Sequence, residues 1–298
     1  PAGIMQLEGV NIMTGGTIVD AAGGTFSGIT PLTLGVPRGE SQKDLIFLIP
    51  NAYFTHRVSP KFAWGVGVFS PFGTGQKYQE LPLSIFRNQV QEIDLQTVVI
   101  NPTVAYKVNQ YLSVGGGIDF MYGKAKLKNS AVAYTGAAPP FGPLYDLYKV
   151  SLKGEGTAWA FNLGALISPT KEVKIGLSYR SPFTLKINNG DMFLTEIDNL
   201  LPLAALGGHT AAWYFGGGTP VSIIHNKGTT YINLPATAAV GVSYTLDKLT
   251  LEVDADFAFW SSFKRFDIDI LTNNALLPDS LKLKNYRDTV AFYIGGEY

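Results

Sequence analysis

The sequence predicts an all-β fold, an antiparallel transmembrane β-barrel of about ten strands, on three grounds. The first is composition: of 298 residues only 15% are charged, while 12% are aromatic and 33 are glycine, which is little charge for a soluble domain. The second is the lack of any run of 18 apolar residues, which argues against a transmembrane helix. The third is a series of long alternating segments whose connections are short and long in turn, as in outer-membrane barrels.

Ten segments alternate between apolar and polar residues with the period of a β-strand. Several exceed the about 5–6 residues of a typical soluble strand, as a tilted strand that crosses a membrane requires. The predicted strands are residues 6–19, 44–57, 62–72, 93–107, 111–126, 151–168, 172–187, 229–246, 248–264 and 286–298.

The connections between these segments differ in length in a regular way. The short ones are residues 58–61, 108–110, 169–171 and 247–248, and the long ones are 20–43, 73–92, 127–150, 188–228 and 265–285. Outer-membrane barrels place short turns in the periplasm and long loops outside. We therefore expect residues 1–298 to form one barrel domain in the bacterial outer membrane, with long extracellular loops near 127–150 and 188–228.

The segment 248–260 shows the expected division between a lipid face and a lumen face. Leu251, Val253 and Phe257 share one side, and the acidic residues Glu252, Asp254 and Asp256 share the other. A soluble barrel would turn the apolar side inward. Since periodicity does not say which face is inside, a soluble all-β domain remains the alternative at this stage.

Charge and residue usage bear on other functions. Lys plus Arg and Asp plus Glu each total 23, so there is no basic excess for nucleic-acid binding. The chain lacks cysteine, and its three histidines, His56, His209 and His225, are not spaced like metal ligands; we expect no metal and no cofactor. Without a G-x-S-x-G element or an evident Ser–His pair, we expect no enzyme. A barrel hydrolase of lipid esters and an adhesion or binding barrel are the alternatives.

Two of the long connections are unusually apolar, at 131–148 and 192–215. Exposed apolar surface of this kind indicates a binding site, although the two loops could also pack on each other as a lid. The candidate substrate-binding residues in them are Phe141, Leu144, Tyr148, Leu201, Leu203, Trp213 and Phe215.

Two further sets of residues are candidates for handling a substrate inside the barrel. Arg180 and Lys174 would hold a carboxylate headgroup, unless they pair with Glu252, Asp254 and Asp256 on a neighbouring part of the wall. A lateral gate is predicted in the third strand, since Pro71 removes a ladder donor and the glycines around it weaken pairing; an ordinary strand end is the alternative. The predicted gate residues are Gly67, Phe69, Pro71 and Gly73.

An ordered series of short motifs gives a resemblance that covers essentially the whole chain. These motifs lie at residues 1–3, 66–73, 101–107, 115–119, 122–125, 176–182, 233–237, 260–263 and 293–298. In this order they resemble the FadL family of outer-membrane long-chain fatty acid transporters, which includes the aromatic-hydrocarbon channels.

The resemblance implies a fourteen-stranded barrel with an N-terminal plug, of which this chain would be a fragment lacking the plug and the last strands. The alternative is a natural end at Tyr298, because Val290, Phe292, Ile294 and Tyr298 fit the alternating C-terminal signal of such barrels. The resemblance also implies uptake of fatty acids or hydrocarbons, with capture by the third and fourth loops and lateral release at a kink in the third strand. The expected partners are hydrophobic small molecules and outer-membrane lipid, and we expect a monomer.

Overall fold

The computed structural model describes residues 1–21, 24–29, 36–79, 84–134, 144–196, 223–271 and 280–298. Within them, short 3-10 turns occupy Ala2–Gln6 and Trp260–Ser262, and no helix is long and apolar enough to cross a bilayer. All other regular elements are strands. In chain order they are β1 Val10–Asp20, β2 Thr25–Gly28, β3 Arg38–Ser41, β4 Ile46–Ser59, β5 Phe62–Phe69, β6 Gly73–Lys77, β7 Glu92–Lys107, β8 Leu112–Tyr134, β9 Leu144–Ile167, β10 Val173–Arg180, β11 Phe183–Glu196, β12 Ile223–Leu234, β13 Thr237–Leu246, β14 Leu249–Ala258, β15 Arg265–Ile270, β16 Ser280–Leu283 and β17 Thr289–Glu297.

The strands form one antiparallel meander with ten positions, in the order β1-β4-β5-β7-β8-β9-β10-β13-β14-β17. Five shorter strands extend these positions. Strand β6 continues β5 along β7, and β11 continues β10 along β9. Strands β12, β15 and β16 extend the positions of β13, β14 and β17 in the same way. The predicted fold class and the ten strand positions are therefore confirmed. Strands β2 and β3 form a separate hairpin, and in the described residues the edge strands β1 and β17 do not pair, so the sheet is open.

Proline marks two of the places where a strand position is divided. The predicted strand 172–187 is interrupted by Pro182, and Pro235 separates β12 from β13. Proline has no N–H to donate to a ladder. In β10 the exposed apolar residues, such as Tyr179, are odd-numbered, whereas at the start of β11 the exposed residues, such as Thr184, are even-numbered. The alternation of outward and inward residues therefore shifts by one residue at Pro182.

The ranges predicted as long loops are partly strand. Strand β8 runs to Tyr134 and β9 begins at Leu144, while β11 reaches Glu196 and β12 begins at Ile223. The ladders thus extend into both 127–150 and 188–228. There the outward residues include charged ones such as Lys128, Asp191 and Lys227, so the sequence pattern resembles a loop. A β-bulge between Ile187 and Gly190, with Asn189 at a φ of 53°, further obscures the alternation. The central parts of both ranges lie outside the described residues.

One face of the meander carries exposed apolar side chains and the other carries the core. Ile100, Ile118 and Trp159 are exposed, whereas the neighbouring Val99 and Met121 are buried. Leu251, Val253 and Phe257 lie on the exposed apolar face of β14, as expected. The core cluster lies where β7, β8, β9, β11 and β12 meet, and its buried members are Val99, Met121, Ala158, Ala160, Phe183, Leu185, Ile187, Ile232 and Leu234. The inner face is therefore apolar in this part of the wall.

Candidate passage for hydrophobic molecules

An apolar cavity of about 680 Å³ lies beside the core cluster, within the size range of small-molecule sites. Aromatic rings meet edge to face along its wall: Phe72 lies 6.2 Å from Phe183 and 6.4 Å from Trp260, measured between ring centroids. Its apolar lining includes Phe72, Leu95, Ile187, Ile232, Leu234, Trp260, Phe263 and Phe266. Charged residues also border it, namely Asp94, Lys126, Lys153, Asp191, Lys284 and Arg287. The apolar part of the wall favours the apolar portion of a molecule.

The cavity borders the break in the third strand position. Strand β5 ends with Phe69 opposite Val99, and β6 begins with Gly73 opposite Gln96, so the broken strand has one residue more than β7 over this stretch. This is a bulge. The hydroxyl of Ser70 donates to the carbonyl of Phe72 at 3.3 Å, and the buried Thr97 of β7 donates to the same carbonyl. The break is thus fastened on its β7 side.

On the opposite side the broken strand leaves one edge of part of β4 without a ladder, although the same residues pair with β1 on their other edge. Pairing between β4 and β5 ends at Ala52 and Val68, and in the described part of the chain β4 and β6 form no ladder. The next backbone contact is from the Lys43 N–H to the Lys77 carbonyl, at 2.7 Å. We call the unpaired stretch between these two contacts the window. Pro50 lies in this stretch of β4 and, like Pro71, has no N–H to donate.

The ring of Phe47 lies within the window. Phe47 is on the inner face of β4, between the exposed residues Ile46 and Leu48. A Cβ built on Gly75 of β6 would lie 2.1 Å from Cζ of this ring, so the ring needs a glycine at this position. At the lower edge of the window the rings of Tyr53 and Phe69 stack at 6.0 Å.

A second cavity, of about 530 Å³ and with more polar walls, lies on the other side of the break. Gly67 and Phe69 line it, Gly73 lines the first cavity, and Pro71 lines both. The structure thus brings the four predicted gate residues together at the boundary between the two cavities and beside the window.

Arg180 also lines the second cavity. Its Nε lies 3.1 Å from Oδ2 of Asp119, which is fully buried and accepts a further bond of 3.1 Å from the Asn162 amide. The guanidinium carbon is 5.0 Å from the centre of the Phe69 ring, a cation–π distance. The partner of Arg180 is therefore Asp119 of β8, and the alternative of pairing with Glu252, Asp254 or Asp256 does not hold.

Lys174 does not join Arg180. Its Nζ donates to Oε1 of Gln6 at 2.6 Å, at the exposed end of the N-terminal turn. Sequence reasoning missed Asp119 as the partner of Arg180, although an acidic residue on the glycine-rich face of residues 111–122 marked it as a lumen residue.

The N-terminal turn Ala2–Gln6 occupies the lumen below the second cavity. It contacts β5, β7, β8 and β9, and Met5 is buried against Ala63 and Ala105. The wall makes room for it, since a Cβ on Gly115 would lie 2.9 Å from the backbone nitrogen of Ala2. The turn therefore fills the part of the lumen beside these strands.

Most of the predicted capture residues lie outside the part of the chain that the structure describes. Phe141, Leu201, Leu203, Trp213 and Phe215 lie outside the described residues, and of Leu144 only its place at the start of β9 is described. Tyr148 is buried, with 3% of its surface exposed. Tyr148 therefore does not contribute an exposed side chain to a capture groove.

A buried carboxylate joins the β2–β3 hairpin to the segment beyond the window. Glu40 accepts bonds from the hydroxyl of Ser84 at 2.9 Å and from the N–H groups of Gln79 and Ile85 at 3.0 and 2.9 Å. Burial and the nearby charge of Glu40 raise the pKa of Tyr78. This contact holds the hairpin next to the Lys43–Lys77 edge of the window.

The whole chain, residues 1–298, matches the family model described as outer membrane protein transport protein (OMPP1/FadL/TodX). A long-chain fatty acid transport protein of Escherichia coli O6:H1 is 24% identical over 272 residues, covering 84% of this chain and 56% of the relative. Outer membrane protein P1 of Haemophilus influenzae is 30% identical over 155 residues, covering 45% of this chain and 33% of the relative. The chain thus spans about half the length of the curated relatives it matches.

Solved structures with the same fold cover nearly all of the chain. A FadL homologue of Pseudomonas aeruginosa superposes with a TM-score of 0.72 at 17% identity, over 99% of this chain and 70% of that chain. The toluene transporter TbuX of Ralstonia pickettii superposes with a TM-score of 0.68 at 20% identity, over 100% of this chain and 76% of that chain.

Proposed function

We propose, given that the chain belongs to the outer-membrane protein transport family (OMPP1/FadL/TodX), that it forms the wall and passage of a channel for the uptake of hydrophobic compounds. Two of the relatives named above are transport proteins, one for long-chain fatty acids and one for toluene, and the family is one of outer-membrane proteins. The observation that carries the proposal is an apolar cavity that ends at a break in the barrel wall.

The physical chemistry of an apolar solute favours a sideways exit. Leaving through the periplasmic mouth would return the solute to water, at a cost of about 0.8 kcal/mol for each CH₂ group. For a long acyl chain this amounts to about 10 kcal/mol, whereas passage from an apolar cavity into lipid avoids most of it. The N-terminal turn also fills part of the lumen. The window is a place in the described wall where two adjacent strands, β4 and β6, lack a ladder.

Capture from outside would precede this step. We propose that Phe141, Leu144, Leu201, Leu203, Trp213 and Phe215, in the two apolar connections, contribute the first contact area. Arg180 beside Phe69 places a positive charge close to the gate, and the same Arg180 is already paired with Asp119. A carboxylate headgroup would therefore compete with Asp119 for it, so the neutral part of the substrate provides most of the binding energy.

The test is uptake of a labelled long-chain fatty acid and of labelled toluene by cells that lack their own transporter and express the full-length protein. Expression should raise the initial uptake rate at low substrate concentration. Replacing Pro71 with Val and Gly73 with Thr, which restores donors and β-propensity at the break, should lower it. The matched control replaces Thr245 with Val, in a strand away from the window. Equal uptake by cells with and without the protein would refute the proposal.

A further inference from the structure

The outer face of the wall carries a set of lysines that the transport mechanism does not use. Cross-strand register places the outward residues of β7, β8, β9, β11 and β12 in horizontal rows. The row Ile100–Phe120–Trp159 is apolar, and the next row contains Val98, Tyr122, Thr157, Lys186 and Tyr231. Phe120 and Trp159 pack at 4.8 Å between ring centroids. These two rows form an aromatic edge.

The rows beyond this edge are charged. Gln96, Lys124 and Glu155 form the first, followed by a row that crosses five strands: Asp94, Lys126, Lys153, Asp191 and Lys227. The last contains Glu92, Lys128, Ser151, Phe193 and His225. We call the lysines of these rows and of the aromatic edge the lysine band. Its members are Lys124, Lys126, Lys128, Lys153, Lys186 and Lys227.

By strand parity the side chains of the band point away from the lumen, although Lys126 and Lys153 are also among the residues that border the apolar cavity. In β8 and β9 the band residues have the parity of the exposed Ile118 and Trp159, and in β11 and β12 they have the parity of the exposed Thr184 and Tyr231. From Tyr106 to Val98 in β7, and from Val114 to Tyr122 in β8, the chain has the length of one crossing of the hydrocarbon core, which takes about 9–11 residues. The band therefore lies at the level of the lipid headgroups, on the side of the long connections.

Several of these lysines are held in place by carboxylates. Lys124 lies 3.2 Å from Glu155, Lys128 lies 2.8 Å from Glu92, and Lys227 lies 2.5 Å from Asp191. An ammonium group has three donors, so each of these lysines keeps donors for another acceptor. Lys153 is exposed and has no ion pair with any residue that the structure describes, and Lys186 lies 5.4 Å above the Tyr231 ring.

We infer that the lysine band binds the phosphate groups of lipid A, the bisphosphorylated glycolipid of the outer leaflet. Adjacent strands are about 4.8 Å apart, so the band extends over a width of wall that a rigid disaccharide with two phosphates can bridge. A phospholipid offers a single phosphate and engages fewer of the lysines at once. Juxtamembrane lysines each strengthen anionic lipid binding by about fivefold. The inference rests on the outward orientation of the long connections, which is part of the proposed function.

The test measures the binding of lipid A to the full-length protein in a neutral detergent by native mass spectrometry. The variant K124Q/K153Q/K186Q removes three band lysines, and K61Q/K107Q/K171Q removes three lysines at the opposite rim as a matched control. We expect the Kd for lipid A to rise about tenfold or more in the band variant and to stay unchanged in the control. Dephosphorylated lipid A and phosphatidylglycerol should bind more weakly than lipid A.

Binding of the band variant at the wild-type Kd would overturn the inference, and so would equal binding of phosphatidylglycerol or of dephosphorylated lipid A. The single variant K153Q, which disturbs no ion pair, provides the same comparison if the triple variant folds poorly. Hydrophobic uptake is measured separately in vesicles that contain no lipid A. Loss of uptake there would count against the proposed function and leave the lipid A result unaffected.

Discussion

At the scale of single residues, the contact between Phe47 and Gly75 determines how the window is filled. The ring occupies the space that a side chain at position 75 would need, with 2.1 Å to a built Cβ. A larger residue at 75 must therefore displace the ring or the strand. Phe47 and Gly75 are far apart in the sequence, so the size of one residue limits the size of the other only through this contact.

We predict that Gly75→Val lowers the unfolding free energy by about 1–3 kcal/mol, as overpacking does. The loss should largely vanish in the Phe47→Ala background, because the clashing ring is then absent. Denaturant unfolding in detergent micelles measures both effects. Gly176→Val is the matched control in a strand, since a Cβ there would meet no atom within 4 Å. Additive effects of the two substitutions would contradict the contact.

The pair of Asp119 and Arg180 is the second feature at this scale. Asp119 is fully buried, so removing Arg180 would leave a carboxylate without its cation. We predict that Arg180→Ala costs about 3–5 kcal/mol of unfolding free energy, and that the double variant D119A/R180A recovers part of the loss. Denaturant unfolding at neutral pH tests this. A double variant no more stable than R180A would show that the charge on Asp119 is not the cause.

At the scale of elements, the sequence predicts strand positions well and strand interruptions poorly. Alternation is a local property of each segment, which is why all ten positions could be predicted. The parity change across Ser181 and Pro182 and the bulge at Gly190 depend on pairing with distant strands. The charged outer ends of β8 and β9 resemble a loop in sequence because lipid no longer selects their outward residues.

Contacts in the site illustrate the same limit. Pro71 and its glycines were recognisable because proline and glycine act locally on pairing. The partner of Arg180 is 61 positions away, and the choice of Asp119 over Glu252, Asp254 or Asp256 depends on the register of β8, β9 and β10. Phe47 and Pro50, on the other side of the window, carried no signal without knowledge of where β4 lies.

Substitutions can test directly which face of β14 contacts lipid. Val253 is exposed on the apolar face, and Glu252 lies on the opposite face. We predict that Val253→Arg makes folding into lipid vesicles less favourable by about 2–4 kcal/mol, because the charge would lie in hydrocarbon. Glu252→Arg is the control on the lumen side and should cost much less. A larger cost for the control would reverse the assignment of faces.

At the scale of the whole molecule, the proposed function requires one orientation in the membrane. The short turns containing Asn109 and Thr170 should face the periplasm, and residue 136, in the connection after β8, should face the outside. We predict that single cysteines at Asn109 and Thr170 resist an impermeant thiol reagent in intact cells, while one at Gly136 reacts. The sequence has no cysteine of its own, so labelling reports the introduced site. Labelling at Asn109 but not at Gly136 would reverse the orientation.

The same meander explains both a continuous wall and a place where it is interrupted. Neighbouring positions are joined by ladders over much of their length, whereas β4 and β6 form no ladder in the described residues. The apolar cavity borders the break, the window lies on the β4 side of the same break, and the N-terminal turn fills part of the lumen. We propose that hydrophobic molecules leave the lumen through this window.

The most direct measurement uses Phe47→Cys in the full-length protein, modified with a bulky apolar methanethiosulfonate reagent that a reductant removes. Uptake of a long-chain substrate should fall toward background after modification and recover on reduction. Leu48→Cys, the adjacent exposed position on the outer face of β4, should transport equally well with and without the reagent. Undiminished uptake by fully modified Phe47→Cys would contradict release through the window.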